Sequence, residues 1–159
     1  MSSYRQKYFD YLMNHFKGNV TIAKSFLENE LYIATKEENL VDVCTYVHKT
    51  FQAPLSSIIC NDERSLSNYF TIYYVFSLPD KDLFIIVYIP VSEQSPKFPS
   101  IPPYIPAAHW YEREIKDMFG LEPVGHPDPS TLVLHGNMPE NTYPLRKDFD
   151  TNTRLPQME

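Results

Sequence analysis

Proline placement constrains this chain more than any other feature. There are 14 prolines against 4 glycines, and all but Pro54 and Pro79 lie at position 90 or later. Six of them fall between Pro90 and Pro106. Each fixes φ and removes a backbone donor, so neither a helix nor a central strand is expected across that stretch. The chain therefore has two textures: a periodic first half, and an extended, rigid second half. The 159 residues are about the size of one ordinary domain, and an apolar fraction of 43% is enough for a core.

Hydrophobic periodicity places the elements of the first half. Tyr4, Tyr8, Tyr11, Leu12 and Phe16 recur at helical spacing, and Ser3 with Gln6 reads as a capping box, giving a helix over 4–17. Two strand-like runs follow, Val20–Phe26 and Leu31–Thr35, joined as a hairpin by Glu28-Asn29-Glu30. Thr35 and Glu38 read as a second capping box ahead of an amphipathic helix carrying Leu40, Val43, Cys44, Val47 and Phe51. Leu55–Cys60, Tyr69–Leu78 and Leu83–Ile89 read as strands. The last is apolar on both faces, as a doubly covered central strand would be. Pro79–Asp82 makes the turn before it.

The order αββαβββ predicts an α+β fold, a mixed sheet with helices on one face. Phe98, Ile101, Tyr104 and Ile105 make the proline-rich segment 90–106 a strap packed over the domain. A helix is expected over 107–119, with Tyr111, Ile115, Met118 and Phe119 on one stripe and Gly120 just past its end. These observations divide the chain into a compact unit, 1–120, and an extended arm, 121–159, too poor in apolar anchors for a core of its own.

Composition removes several function classes. The net charge of −6 argues against nucleic-acid binding. No apolar run reaches the length of a membrane span, and Met1–Lys7 leads into no secretion signal, so the expected compartment is the cytoplasm. Cys44 and Cys60 are too few for a cluster or a four-cysteine metal site and read as buried thiols. There is no Gly-rich phosphate loop and no Gly-x-Ser-x-Gly elbow.

Three groups of residues are left that could carry chemistry. In the stretch His109–Gly120, Glu112 with Lys116 and Arg113 with Asp117 sit four apart and could form two surface ion pairs. Glu112 and Glu114 would point about 200° apart, which rules them out as two acids flanking one bond. His126, Asp128 and His135 have metal-ligand side chains at a spacing that matches no known metal signature. Tyr143–Phe149 sets Arg146, Lys147 and Asp148 between apolar residues in a stretch with no evident partner, which suits docking.

In order, the chain carries Glu112-Arg113-Glu114, Asp117-Met118-Phe119-Gly120, Gly125-His126-Pro127-Asp128 and Pro144-Leu145-Arg146-Lys147-Asp148-Phe149. That succession resembles the signature of the thirty-kilodalton subunit family of respiratory NADH:quinone oxidoreductase (complex I). Membrane-bound nickel–iron hydrogenases and formate hydrogenlyases share it. Respiratory members usually continue with Leu-Arg-Arg after the Gly-His-Pro-Asp turn. Here Pro129-Ser130-Thr131 stands instead, and the stretch to Tyr143 is more similar to the hydrogenase branch.

The resemblance implies a non-catalytic subunit with no cofactor of its own, packed on a large catalytic subunit beside iron–sulfur subunits. The nickel–iron or quinone site would lie in those partners. It further implies a place at the inner face of the cell membrane, held there through the complex. Glu112, Arg113, Glu114 and Asp117 would hold helix and loop in register, partly through buried ion pairs. Phe119, Gly120, His126, Pro127, Asp128, Pro144 and Leu145 complete the signature. Arg146, Lys147 and Asp148 would meet the partner with Phe149 as an apolar anchor, so that Arg146→Ala would weaken assembly and spare the isolated fold. Such a chain is expected either free-standing or as part of a longer fusion. The competing readings are a stand-alone enzyme using the carboxylates or the His126–Asp128–His135 group, and a generic adaptor.

Overall fold

The computed structural model describes residues 3–23, 27–136 and 138–150. Helix α1 (Ser3–Phe16) leads into β1 (Val20–Ala23) and β2 (Glu30–Thr35), then α2 (Leu40–Thr50), β3 (Leu55–Asp62) and the one-turn helix α3 (Arg64–Ser67). Two long strands follow, β4 (Tyr69–Leu78) and β5 (Leu83–Ser92), then the short strand β6 (Lys97–Pro99), helix α4 (His109–Phe119) and strand β7 (Glu122–Val124). Five strands form one mixed sheet in the order β1-β2-β5-β4-β3, in which only β2 and β5 run parallel. The expected α+β class and mixed sheet are both present. β6 and β7 add a two-stranded parallel pair in which Lys97 lies opposite Glu122 and bonds to it at 2.9 Å.

The core lies between the sheet and its helices. Cross-strand rows such as Ile33–Val87–Tyr74–Ile58 turn one sheet face inward, where α2 places Leu40, Val43, Cys44 and Val47. Phe98, Ile101 and Ile105 are also fully buried, so the strap packs over the domain as expected, while Tyr104 points outward.

Several local expectations are not met. On α1 the buried residue is Leu12, whereas Tyr4 and Tyr11 are about half exposed; Tyr8 packs edge-on to Phe51. Gln6 donates to Asp10 instead of reaching back to cap the helix, and the Ser3 side chain lies outside the described residues. The Thr35 hydroxyl donates to the Asn19 carbonyl and caps nothing. Of the expected strand Val20–Phe26, residues 24–26 lie outside the described residues.

β5 continues through Pro90 to Ser92, beyond the expected limit. Its pairing with β2 stops at Tyr88, so Pro90 pairs with β4 alone and its missing N–H interrupts no second ladder. β5 is apolar on both faces, yet the described helices lie against only one of them. Cys44 is buried as read, and Cys60 is partly buried. No helix among the described residues is long and apolar enough to cross a membrane.

Candidate functional site: the pinned helix, its loop and the arm

Helix α4 begins after a 3₁₀ turn at Pro106–Ala108 and ends at Gly120, whose φ of +69° closes the helix in the left-handed conformation. Glu112 is fully buried. Its Oε2 accepts from the Ser100 hydroxyl at 2.5 Å and its Oε1 from the Ile101 N–H at 2.9 Å, which ties the strap to the helix. Burial pushes the Glu112 carboxyl up to about 7, and the two hydrogen bonds pull it only part of the way back. The Cys44 thiol and the Tyr74 hydroxyl, both buried in its field, are pushed up as well.

The next face of α4 holds the loop that follows β7. Arg113 donates from Nε to the Ser130 carbonyl at 3.0 Å, and from Nη2 to the Ser130 hydroxyl at 2.9 Å and the Thr131 carbonyl at 3.1 Å. Its Nη1 lies 3.2 Å from Asp128, and its guanidinium stacks over Trp110. Lys116 donates to the Pro129 carbonyl. Asp117 Oδ2 accepts from the N–H groups of Leu132 and Val133 at 2.8 Å and of Leu134 at 3.3 Å. Neither expected four-apart ion pair forms, because these side chains reach backbone groups of other segments. Pro129, Ser130 and Thr131, just after the Gly-His-Pro-Asp turn, thus supply acceptors to the helix's cations.

Gly125, at φ +85°, makes the turn that brings the next residues back to α4. His126 Nδ1 accepts from the Asp128 N–H at 3.1 Å, which makes Nε2 the donor to the His109 carbonyl at 3.1 Å. Burial holds His126 below its ordinary value. Asp128 accepts from the Ser130 N–H, and Pro127 is exposed. Both nitrogens of His126 are thus engaged, His135 lies exposed on the loop, and no group of three metal-ligand side chains gathers among the described residues. Glu114 faces solvent and Phe119 packs edge-on against Phe70.

The arm lies on its own domain. A Cβ at Gly120 would collide with the Tyr143 ring, so glycine there makes room for the arm. Leu145 N–H donates to the Met118 carbonyl at 3.2 Å, and Arg146 Nε to the Phe119 carbonyl at 2.7 Å. The Arg146 guanidinium lies 4.2 Å over Tyr143 and 5.2 Å over Phe70. Lys147 N–H donates to Asp62 at 2.9 Å.

Arg64 is the hub that sequence reasoning missed. It bonds Asp62 and Asp148, each at 2.7 Å, contacts Glu93, and covers the same Phe70 ring at 4.8 Å. These bonds hold Asp62 and Asp148 below the ordinary carboxylate range. Arg146 and Asp148, read as partner contacts, therefore have partners within the chain. Leu145 and the Lys147 side chain remain outward, while Pro144 and Phe149 are half-buried. No local signal could have found the hub, since Arg64 and Asp148 lie 84 positions apart.

The family model of the respiratory-chain NADH dehydrogenase 30 kDa subunit matches residues 33–155. The chain belongs to that family. Among curated relatives, hydrogenase-4 component G of Escherichia coli K12 is 39% identical over 86% of this chain, which spans 25% of that relative's length. An NADH-quinone oxidoreductase subunit of Rhizobium johnstonii is 34% identical over 85% of this chain and 68% of its own length. Among solved structures, the trypsin-resistant fragment (1–134) of Nqo5 matches with a TM-score of 0.65 at 24% identity, covering 77% of this chain and 97% of the fragment, and so shares the fold.

The pinned helix and the hub each have a measurable consequence. Folding binds the Glu112 proton more tightly than the unfolded chain does. Stability from this group is thus fully present below about pH 4.5 and is lost as pH rises through about 7. The loss amounts to about 3 kcal/mol. His126 works in the opposite sense over the same range, so the test is the difference between wild type and Glu112→Gln in denaturant unfolding from pH 4.5 to 7.5; that difference should shift by this amount. Arg64→Ala should release the arm, with limited proteolysis cutting between residues 138 and 150 at least about tenfold faster, as expected when a local opening loses more than about 1.4 kcal/mol.

Proposed function

We propose that this chain is the non-catalytic docking subunit of a complex I-like, energy-converting oxidoreductase. The hydrogenase type is favoured, with the chain packed on the large catalytic subunit. One observation carries the reading. The signature's charged residues Glu112, Arg113, Asp117, Arg146 and Asp148 bind backbone or side chains of this same chain and hold strap, loop and arm in one shape. They do not converge around an open cleft: Glu112 is sealed under the strap while Glu114 stands in solvent on another side of the helix.

What that shape presents is suited to a partner. Trp110 is 61% exposed and Leu145 54% exposed, and the Glu114 and Lys147 side chains are exposed as well. Exposed aromatic anchors of this kind dominate interfaces. The hydrogenase branch is supported by the loop after Asp128, whose Pro-Ser-Thr acceptors replace the arginines usual in respiratory subunits, and by the stronger identity to the hydrogenase-4 component. Membership of a respiratory NADH:quinone oxidoreductase is the alternative. In either case the nickel–iron or quinone site and the iron–sulfur clusters belong to the partner subunits. The chain reaches the inner face of the cell membrane through them.

Native co-purification tests this. The chain should bring down a large subunit together with nickel. A large subunit with quinone-reactive partners and no nickel would instead support the respiratory alternative, and recovery of the chain alone would refute docking. Because Arg146 holds the arm, its replacement disturbs the chain itself, and the informative variant is Trp110→Ala. It should weaken recovery of the large subunit by about 30-fold, the effect of a hot-spot residue worth about 2 kcal/mol, while costing the isolated chain no more than the about 1 kcal/mol of an exposed ring's stack on the Arg113 guanidinium.

A further inference from the structure

The sheet has a second face that no described helix covers. Its residues stand in cross-strand rows. One runs Tyr32–Ile86–Val75–Ser57 and the next Ala34–Tyr88–Tyr73–Ile59. Phe84 pairs with Glu30 at one end. Antiparallel strands with one solvated face usually alternate apolar and polar residues, and β5 does not. Ile59 is 48% and Phe84 39% exposed, both on the rim of a shallow concavity of about 480 Å³ floored by Ile86 and Val75.

Among the described residues of β2 to β5, the charge on this face has one sign. Glu30 borders Phe84, and Glu63 accepts from the Thr71 hydroxyl at 2.6 Å and the Tyr73 hydroxyl at 3.2 Å. Burial, then the Glu63 carboxylate, pushes Tyr73 up to about 12. No lysine or arginine stands among the outward residues of β2, β3, β4 and β5. A second copy would bring acid only to acid or to apolar side chains. An anionic lipid surface would meet a face with no cation to receive it. A protein surface of apolar side chains bearing a Lys or Arg satisfies both the apolar rows and the carboxylates.

We propose that this open sheet face is a second docking surface, occupied by an apolar, basic patch of the large catalytic subunit. The inference rests on the docking reading above and adds to it a separate surface, on the side of the sheet away from α1 and α2. Its recognition is aromatic and acidic, whereas the α4 side presents Trp110 with groups of both signs.

The test is a photo-crosslink in the native complex. Phe84→p-benzoylphenylalanine keeps an aromatic ring on the rim and reports what lies on it, with the attached peptides identified by mass. Attachment to a segment of the large subunit that contains Lys or Arg supports the proposal. Attachment to residues 151–159 of the same chain, to a second copy or to lipid overturns it, as does no attachment when the large subunit is recovered. Failure to recover the large subunit with unaltered chain overturns the docking reading, which separates the two failures. Glu30→Lys in the full chain should lower recovery of the large subunit about tenfold, since like charges would then face each other. Unchanged recovery, with the isolated variant folded by its melting temperature, contradicts the charge argument.

Discussion

The buried carboxylate of Glu112 is the constraint on which the second half of the molecule depends. A carboxyl sealed from water needs donors, and no cation bonds it. The strap supplies them from Ser100 and Ile101, in the segment where prolines leave few backbone donors. Satisfying Glu112 thus sets where the strap crosses α4. It also sets which face of α4 remains to hold the following loop through Arg113, Lys116 and Asp117. Removing one side of such an arrangement leaves a buried polar group unpaired, which is why the site behaves as one unit.

The arm follows the same logic at the surface. Phe70 lies at the end of the sheet's inner face, touched by Phe119 and covered by the guanidinium groups of Arg64 and Arg146. Two like charges share one ring because the Phe119 carbonyl and three carboxylates surround them. The result is an arm that needs no core of its own. In this family member the signature therefore works first as internal scaffolding. The proposed docking then falls to side chains that the scaffold turns outward and to the open sheet face.

Much of the fold is legible in the sequence because its signals are local. Leu40, Val43, Cys44 and Val47 are all buried as their spacing demands, and Gly120 ends α4 where a left-handed residue is needed. The strap's Phe98, Ile101 and Ile105 declare their burial by being apolar among prolines. Two of the failures are of one kind. The expected Thr35 cap and the four-apart pairs on α4 lose to backbone groups far away in sequence, which no spacing rule weighs. Arg64 is invisible for the same reason. The apolar character of β5 is plain in its residues, but a sequence cannot say whether the strand's second face is covered by the same chain or by another. The ordered motifs point to the site residues; their partners come only from the structure.

The charged signature holds loop and arm in place within the isolated chain, and amide hydrogen exchange reads this at the bonds themselves. In the isolated chain, the amides of Leu132, Val133 and Lys147, which donate to Asp117 and Asp62, should be protected to the same order as interior amides of α4. Exchange of these three at the rate of an unstructured peptide, with α4 still protected, would contradict this and leave loop and arm to be ordered only by a partner.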